Sequence, residues 1–419
     1  MSASALFLPS LADQPGLVEF FWSGAVTPTS ATVKAKLRLD SEAVRLAVSH
    51  RPDLSRPFFS AYSHASQTET NRVVSLQISG LQPNRQYYYA IEVDGVIDLT
   101  RRGKFRTFPA GPASFSFAFG SCAETGSAHP IFETIRRRNP LFFLHTGDMH
   151  YLDIAANDRN LFRQAYETVL ASPTQAALYR EVPLVYMWDD HDFGPNDSDA
   201  LAAGREASRL TYQEVVPHYP LPAGQGNVPI YQAFTVGRVR FLITDTRSER
   251  SPKSAPDDAN KTMLGQAQKA WLKQELLQAK ELFRLVVWVS PAAWIPDLSD
   301  GWTLYSTERR ELADFIKENE IKNVVMLTGD LHLLGIDNGR HSAFANSGGD
   351  GFPVMQASPL DRFPFEEGIP FAPYSEGVVA QRGVFGLMLV FDTGGATLTV
   401  HWSGRNSLNE EMLGYTFTI

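Results

Sequence analysis

Leu141-Phe-Phe-Leu-His-Thr-Gly-Asp-Met-His-Tyr-Leu-Asp153 reads as a buried strand that runs into a sharp turn at Gly147 and then presents polar side chains. Asp148 and Tyr151 follow the turn at a separation of three, so one turn of chain brings both oxygens to one side. The same grammar recurs at Phe115-Ser-Phe-Ala-Phe-Gly-Ser-Cys122, where a thiol lies just past a glycine that permits close backbone approach. It recurs at Val185-Tyr-Met-Trp-Asp-Asp-His-Asp-Phe-Gly-Pro-Asn-Asp197, which sets Asp189, Asp190, His191 and Asp192 in a row. It recurs again at Val324-Val-Met-Leu-Thr-Gly-Asp-Leu-His332, where Asp330 and His332 point the same way if the chain is extended.

Working outward, further apolar runs at Val239–Thr244 and Leu285–Val289 extend the set of buried strands. Helical spacing lies between them, in Leu161-Phe162, Ala165-Tyr166 and Val169-Leu170, and in Ala267, Trp271 and Leu276-Leu277. Strand and helix alternate, which predicts a layered α/β domain. Gly386–Val390 and Ala396–Trp402, joined through Gly394-Gly395, return to a strand pattern expected to complete a sheet edge. Residues 15 to 109 differ in texture. Ala31–Leu39 and Val73–Ile78 alternate with period two, and Ile78–Val93 with Gly103–Pro109 looks like the closing strands of a fibronectin III/Ig-like β-sandwich. Pro109-Ala-Gly-Pro112 is a plausible hinge, giving an expected sandwich over 1–112 and a catalytic α/β domain over 113–419.

Bulk composition sets limits. The chain has 419 residues, 43% hydrophobic and 20% charged, which suits soluble globular domains and leaves little room for a long disordered tail. The formal charge of −8 comes without a block of like charges, so nucleic acid is not an expected partner. No apolar run approaches the roughly 18 residues of a membrane span. Met1–Gln14 shows neither a basic region nor an apolar signal core. The cytoplasm is slightly favoured on that ground, with a secreted or periplasmic location if a leader has been removed. Oligomeric state and biological substrate are not encoded in anything legible. One cysteine, Cys122, excludes an internal disulfide, and a lone cysteine is ordinarily a small buried hydrophobe.

Four strand-end clusters in one α/β region point to bound cations, because consecutive acids are costly to bury without them. Each cluster has a plainer reading: Asp148 or Asp330 could cap a following helix, and His191 could be a hydrogen-bonded core histidine. Capping alone does not account for all four. Cations are what phosphate-ester hydrolysis needs, since they lower the pKa of bound water from 15.7 towards about 7 and hold the phosphate oxygens.

At these residues the chain resembles the alkaline phosphatase D (PhoD-like) family of calcineurin-type metallophosphoesterases. The resemblance rests on Gly120-Ser-Cys122, Gly147-Asp-x-x-Tyr151, Trp188-Asp-Asp-His191, Asp245-Thr-Arg247, Leu264-Gly-x-x-Gln-x-x-Trp-Leu272 and Gly329-Asp-x-His332, in that order. It implies a metallophosphoesterase α/β/β/α sandwich behind the N-terminal sandwich. The Gly-Asp-x-x-Tyr pattern is shared with purple acid phosphatases, in which tyrosinate and carboxylate bind ferric iron. By that resemblance Cys122, Asp148, Tyr151 and His332 would hold Fe3+. Asp148 would bridge to a second site with Asp190, Asp330 and Asn196, an oxygen set that suits Ca2+. An additional histidine ligand near Ser290-Pro291 has no counterpart, which weakens Zn2+ or Mn2+ there. The resemblance leaves His191 over the phosphate as a charge stabiliser or proton donor, beside the bridging Asp148. Arg247 is a candidate for a phosphate oxygen, or else pairs with a buried carboxylate such as Asp245. His145 and His150 match no ligand position and read as structural.

The expected activity is metal-dependent hydrolysis of phosphate monoesters or diesters by a metal-bound hydroxide. A phospholipase D-like phosphodiesterase and a metal-dependent hydrolase of non-phosphate esters are alternatives sharing the same clusters. A carbohydrate- or protein-binding module with a decayed α/β domain is a reading of a different class.

Overall fold

The fold was analysed on a computed structural model that describes residues 16–295, 300–364 and 373–419. Met1–Gln14 and residues 365–372 lie outside the described residues. Among the described residues no helix is long and apolar enough to cross a membrane.

The N-terminal part contains β1 (Val18–Gly24), β2 (Ser30–Leu37), β3 (Ser41–Ser49), β4 (Phe58–Phe59), β5 (Ser63–Ala65), β6 (Val73–Ser79), β7 (Gln86–Val93), β8 (Val96–Ile97) and β9 (Gly103–Arg106). A one-turn helix, α1 (Gln67–Thr70), interrupts them. The strands β1-β2-β6 form one antiparallel layer, and β4-β3-β7-β8 with β5 and β9 forms the other. The period-two alternation explains the pairing. Ala31, Val33 and Ala35 of β2 and Leu76 and Ile78 of β6 turn inward to meet Leu46, Val48, Tyr89 and Ile91, all in one buried core.

The larger part follows with β10 (Phe115–Gly120), α2 (Ile131–Arg138), β11 (Phe143–Thr146), α3 (Arg159–Ala171), α4 (Pro173–Glu181), β12 (Leu184–Met187), α5 (Asp190–Phe193) and α6 (Arg205–Val215). Then come β13 (Gln232–Val236), β14 (Val239–Ile243), α7 (Gln266–Leu282), β15 (Leu285–Ser290), α8 (Ser306–Glu318), β16 (Val324–Thr328), β17 (Leu334–Asp337), β18 (Val354–Ala357), β19 (Val378–Val379), β20 (Val384–Phe391), β21 (Thr399–Asn406) and β22 (Glu411–Thr418). One sheet runs β22-β21-β20-β10-β11-β12-β1-β2-β6, and a second runs β13-β14-β15-β16-β18-β17-β19.

The sheets face each other through an aromatic layer: Phe117 stacks on Phe142 at 4.7 Å, and Phe241 meets them at 5.3 and 5.4 Å between ring centres. Alternation along the central strands assigns the two faces. Phe241, Ile243, Val287, Val289, Val325 and Leu327 join the core between the sheets. Leu242, Val286, Trp288 and Met326 join a separate core with Leu272 and Leu276 of α7 and Leu312 of α8. The result is an α/β/β/α sandwich preceded by a β-sandwich.

Two features depart from the sequence reading. The strand expected over Leu141–Leu144 is shifted to Phe143–Thr146, because Asn139 ends α2 in a left-handed turn and Pro140 follows it. More consequentially, β1 pairs parallel with β12 at Gly24 and Leu184, so the N-terminal layer continues the larger part's sheet across the Pro109–Pro112 segment instead of standing apart from it.

Candidate metal centre

Parallel pairing of β10, β11 and β12, and of β14, β15 and β16, brings their C-terminal ends to one edge of the facing sheets. Ligands that follow those ends therefore converge in the crevice there.

Cys122, two residues past β10, is fully buried with φ +64. Its thiol donates to Asp148 Oδ2 at 3.4 Å and accepts from Ser358 Oγ at 3.4 Å. Burial, with Asp148 and Asp330 close by, pushes the thiol well above its ordinary range. Tyr151 extends the chain of contacts: its hydroxyl donates to Asp148 Oδ2 at 2.9 Å and lies 3.2 Å from His332 Nε2. Burial raises this phenol too, with help from Asp148 and Cys122. His332 Nδ1–H donates to the Phe363 carbonyl at 2.8 Å, which leaves Nε2 as the unprotonated nitrogen facing Tyr151. Burial lowers the His332 pKa to about 4, keeping the ring neutral.

The second group is made of carboxylates. Asp189, Asp190 and Asp330 place one oxygen each within 4.8 Å of one another, and an oxygen each of Asp148 and Asp190 and a ring nitrogen of His191 lie equally close together. Asp148 Oδ1, Asp189 Oδ2 and Asp190 Oδ1 are buried without a hydrogen-bond donor. Burial, then the neighbouring aspartates, raises Asp148 and Asp330 well above the carboxylate range. Burial also pushes Asp190 up, but Arg247, His191, the Asp197 backbone N–H and Arg250 together hold that carboxyl below the usual range. Buried carboxylate oxygens without donors, close together and beside a thiol, a phenol and a neutral imidazole, fit bound cations. Asn196 is exposed on the turn beside Asp197.

The expectation for Asp330 and His332 needs correction. Both adopt left-handed backbone, φ +74 and +49, so the segment is not extended, and the two side chains go to different groups: Asp330 to the carboxylates and His332 to Tyr151. Arg247 is also corrected. It is fully buried and bonded through Nε to Asp189 and through Nη2 to Asp300 at 2.7 Å, with Asp190 Oδ1 at 3.6 Å. Its pairing partners are these acids, while Asp245 accepts only its backbone N–H, and no face is open to a substrate. Asp300 is pinned as well by Arg250 at 2.6 Å, and Asp197 by Lys253 at 2.7 Å, so these outer acids carry their own cations.

His191 opens onto the crevice, its side chain 15% exposed and its ring 4.1 Å from that of Tyr151. Its Nδ1 is 2.5 Å from Asp153 Oδ1, a partner that sequence reading quoted but did not assign. Asp192 also behaves differently from its neighbours. Its carboxylate accepts the backbone N–H groups of Asp148, Met149, His150 and Asp189 at 2.5, 2.7, 3.2 and 3.1 Å. It thus ties the Gly147 turn to the β12 loop, and a Gly-Asp turn opposite an Asp-x-x-Asp run was the available signal. His145 and His150 point into the protein, against Tyr186 and Tyr166.

The model of the PhoD-like phosphatase family matches residues 117–348. Alkaline phosphatase D of Bacillus subtilis is 26% identical over 318 residues, covering 63% of this chain and 54% of that protein. Purple acid phosphatase 23 of Arabidopsis thaliana is 21% identical over 279 residues, covering 61% and 55%. This chain thus spans about half the length of the curated relatives it matches. A solved structure of PhoD superimposes with a TM-score of 0.79 at 19% identity, covering 98% of this chain and 91% of that one, so the fold is shared nearly end to end. With the family's residues spanning the crevice and more than half of the sequence, the chain belongs to the PhoD-like phosphatase family.

Proposed function

We propose that this chain hydrolyses phosphate esters, mono- or diesters, with metal ions held by the side chains gathered at the strand ends. The observation that carries the reading is the set of buried carboxylate oxygens without donors at Asp148, Asp189 and Asp190, next to Cys122, Tyr151 and His332. Cys122, Asp148, Tyr151 and His332 form the thiolate–phenolate–imidazole set that suits Fe3+. Asp148, Asp190 and Asp330, with Asn196 from the adjoining turn, form the oxygen set that suits Ca2+, with Zn2+ or Mn2+ the alternative. Bound there, such ions activate water and neutralise phosphate oxygens.

The remaining work falls to the protein. Asp192 fixes the loop that carries Asp148, and Arg247 fixes Asp189 and Asp190 so that the acids keep their positions as charge moves. His191, with Nδ1–H donated to Asp153, has Nε2 left to hold a proton for the leaving oxygen.

The test compares turnover of p-nitrophenyl phosphate and bis-p-nitrophenyl phosphate before and after chelation, with elemental analysis and a visible spectrum of the same sample. Chelator-sensitive turnover of either ester with iron present, and visible absorption from thiolate or phenolate on iron, is expected. Dominant turnover of the diester favours the phosphodiesterase form. No metal-dependent turnover of either ester overturns the proposal, and failure of inorganic phosphate to compete moves it to non-phosphate esters.

A further inference from the structure

A phosphate ester carries negative charge beyond what cations neutralise, and recognition of its outer oxygens calls for a donor fork that solvent can reach. Arg247 and Arg250 do not qualify: both are fully buried and bonded to Asp189 or Asp300. Lys253, paired with Asp197, offers a single ammonium in place of a fork. Arg362 is different. Its guanidinium lies 4.0 Å above the ring centre of Tyr151, the side chain is 33% exposed, and its charge reaches His332, where it disfavours a second proton.

The place from which Arg362 projects is fixed on both sides. Leu360 N–H donates to the Ser121 carbonyl at 2.8 Å and Asp361 N–H to the Cys122 carbonyl at 3.1 Å. The Asp361 carboxylate is held by Ser127 and Arg382, and the Phe363 carbonyl accepts from His332 at 2.8 Å. Arg362 therefore projects from an anchored stretch of backbone, with its guanidinium over the Tyr151 ring. Among the described residues the guanidinium meets one acid, Glu124, through Nη1, and that carboxylate is itself 41% exposed. An exposed ion pair of this kind is weak.

On the reading of this site as a phosphoesterase centre, we propose that Arg362 binds the substrate's phosphoryl oxygens and that Glu124 occupies the guanidinium until the substrate's anion replaces it. Glu124 thus acts as a placeholder: it keeps the arginine oriented over Tyr151 and competes with the incoming phosphate. Sequence reading had no route to this pair, since the two residues lie 238 positions apart.

The decisive experiment measures inorganic phosphate on metal-loaded protein, by competitive inhibition and by calorimetric titration, for the unaltered chain, Arg362→Ala, Arg362→Lys and Glu124→Gln. Metal content and thermal melting are recorded for each. Arg362→Ala should weaken phosphate about tenfold or more, with Arg362→Lys between it and the unaltered chain and metal content unchanged in both. Glu124→Gln should bind phosphate as tightly or more tightly. An ion pair that only pins two loops makes Glu124→Gln weaken phosphate as Arg362→Ala does, and that result overturns the proposal. So does phosphate affinity within twofold of the unaltered chain in Arg362→Ala with its metals retained. Absence of ester turnover in the unaltered chain is a separate failure, that of the functional reading, and calorimetry still reports on Arg362 in that case.

Discussion

At the residue scale, the four neighbours in Asp189-Asp-His-Asp192 serve four different purposes, because backbone geometry decides what each one meets. Asp190 faces the carboxylate group, Asp189 turns to Arg247, Asp192 collects backbone N–H groups, and His191 leans on Asp153. The His191–Asp153 contact predicts a separable effect. In Asp153→Ala the imidazole loses the acceptor that sets its tautomer, and kcat should fall about ten- to a hundredfold with metal content unchanged; equal loss of metal would show that Asp153 only supports the fold. A second prediction concerns His145, whose burial pushes its pKa down to about 3. The unfolded chain protonates this ring below about 6.5 while the folded chain does not, so stability is lost as pH falls through that window. At pH 5 the cost relative to pH 8 is about 2 kcal/mol. Denaturant unfolding of His145→Phe at the two pH values should show a gap smaller by that amount.

At the scale of elements, the crevice is assembled by turns whose backbone carries the specificity. Gly147 has φ +102, and a Cβ there would lie 2.4 Å from the Cβ of Asp189. Gly147→Ala should therefore push the β11 and β12 loops apart and strip the centre of metal, read as lost metal stoichiometry with most helical signal retained. Such turns are why the strand-end clusters were legible: an apolar run, a glycine and then polar residues is a local pattern. The strands β12, β14, β15 and β16 were readable for the same reason, their runs being short, apolar and bounded. What could not be read were relations without a local mark. Arg247 and its acids meet through the fold, and the register of β1 on β12 rests on a backbone pairing that no side chain announces.

At the scale of the whole molecule, the two sandwiches share material. Trp22 of β1 is fully buried against Tyr166 and Tyr179, at 6.3 and 6.0 Å, and its indole N–H donates to the Val215 carbonyl at 2.8 Å. Trp22→Ala should cost about 3–5 kcal/mol and lower a single melting transition for the entire chain; two transitions, with only the first displaced, would mean that the parts melt apart. The strand that receives β1 also leads directly into Asp189 and Asp190. A chimera carrying a foreign module in place of residues 16–109 would thus replace the lateral neighbour of a ligand-bearing strand. Swapping this front end is accordingly an edit to the geometry of the candidate metal centre itself, and transplanted versions should need a matching strand edge before they recover metal binding.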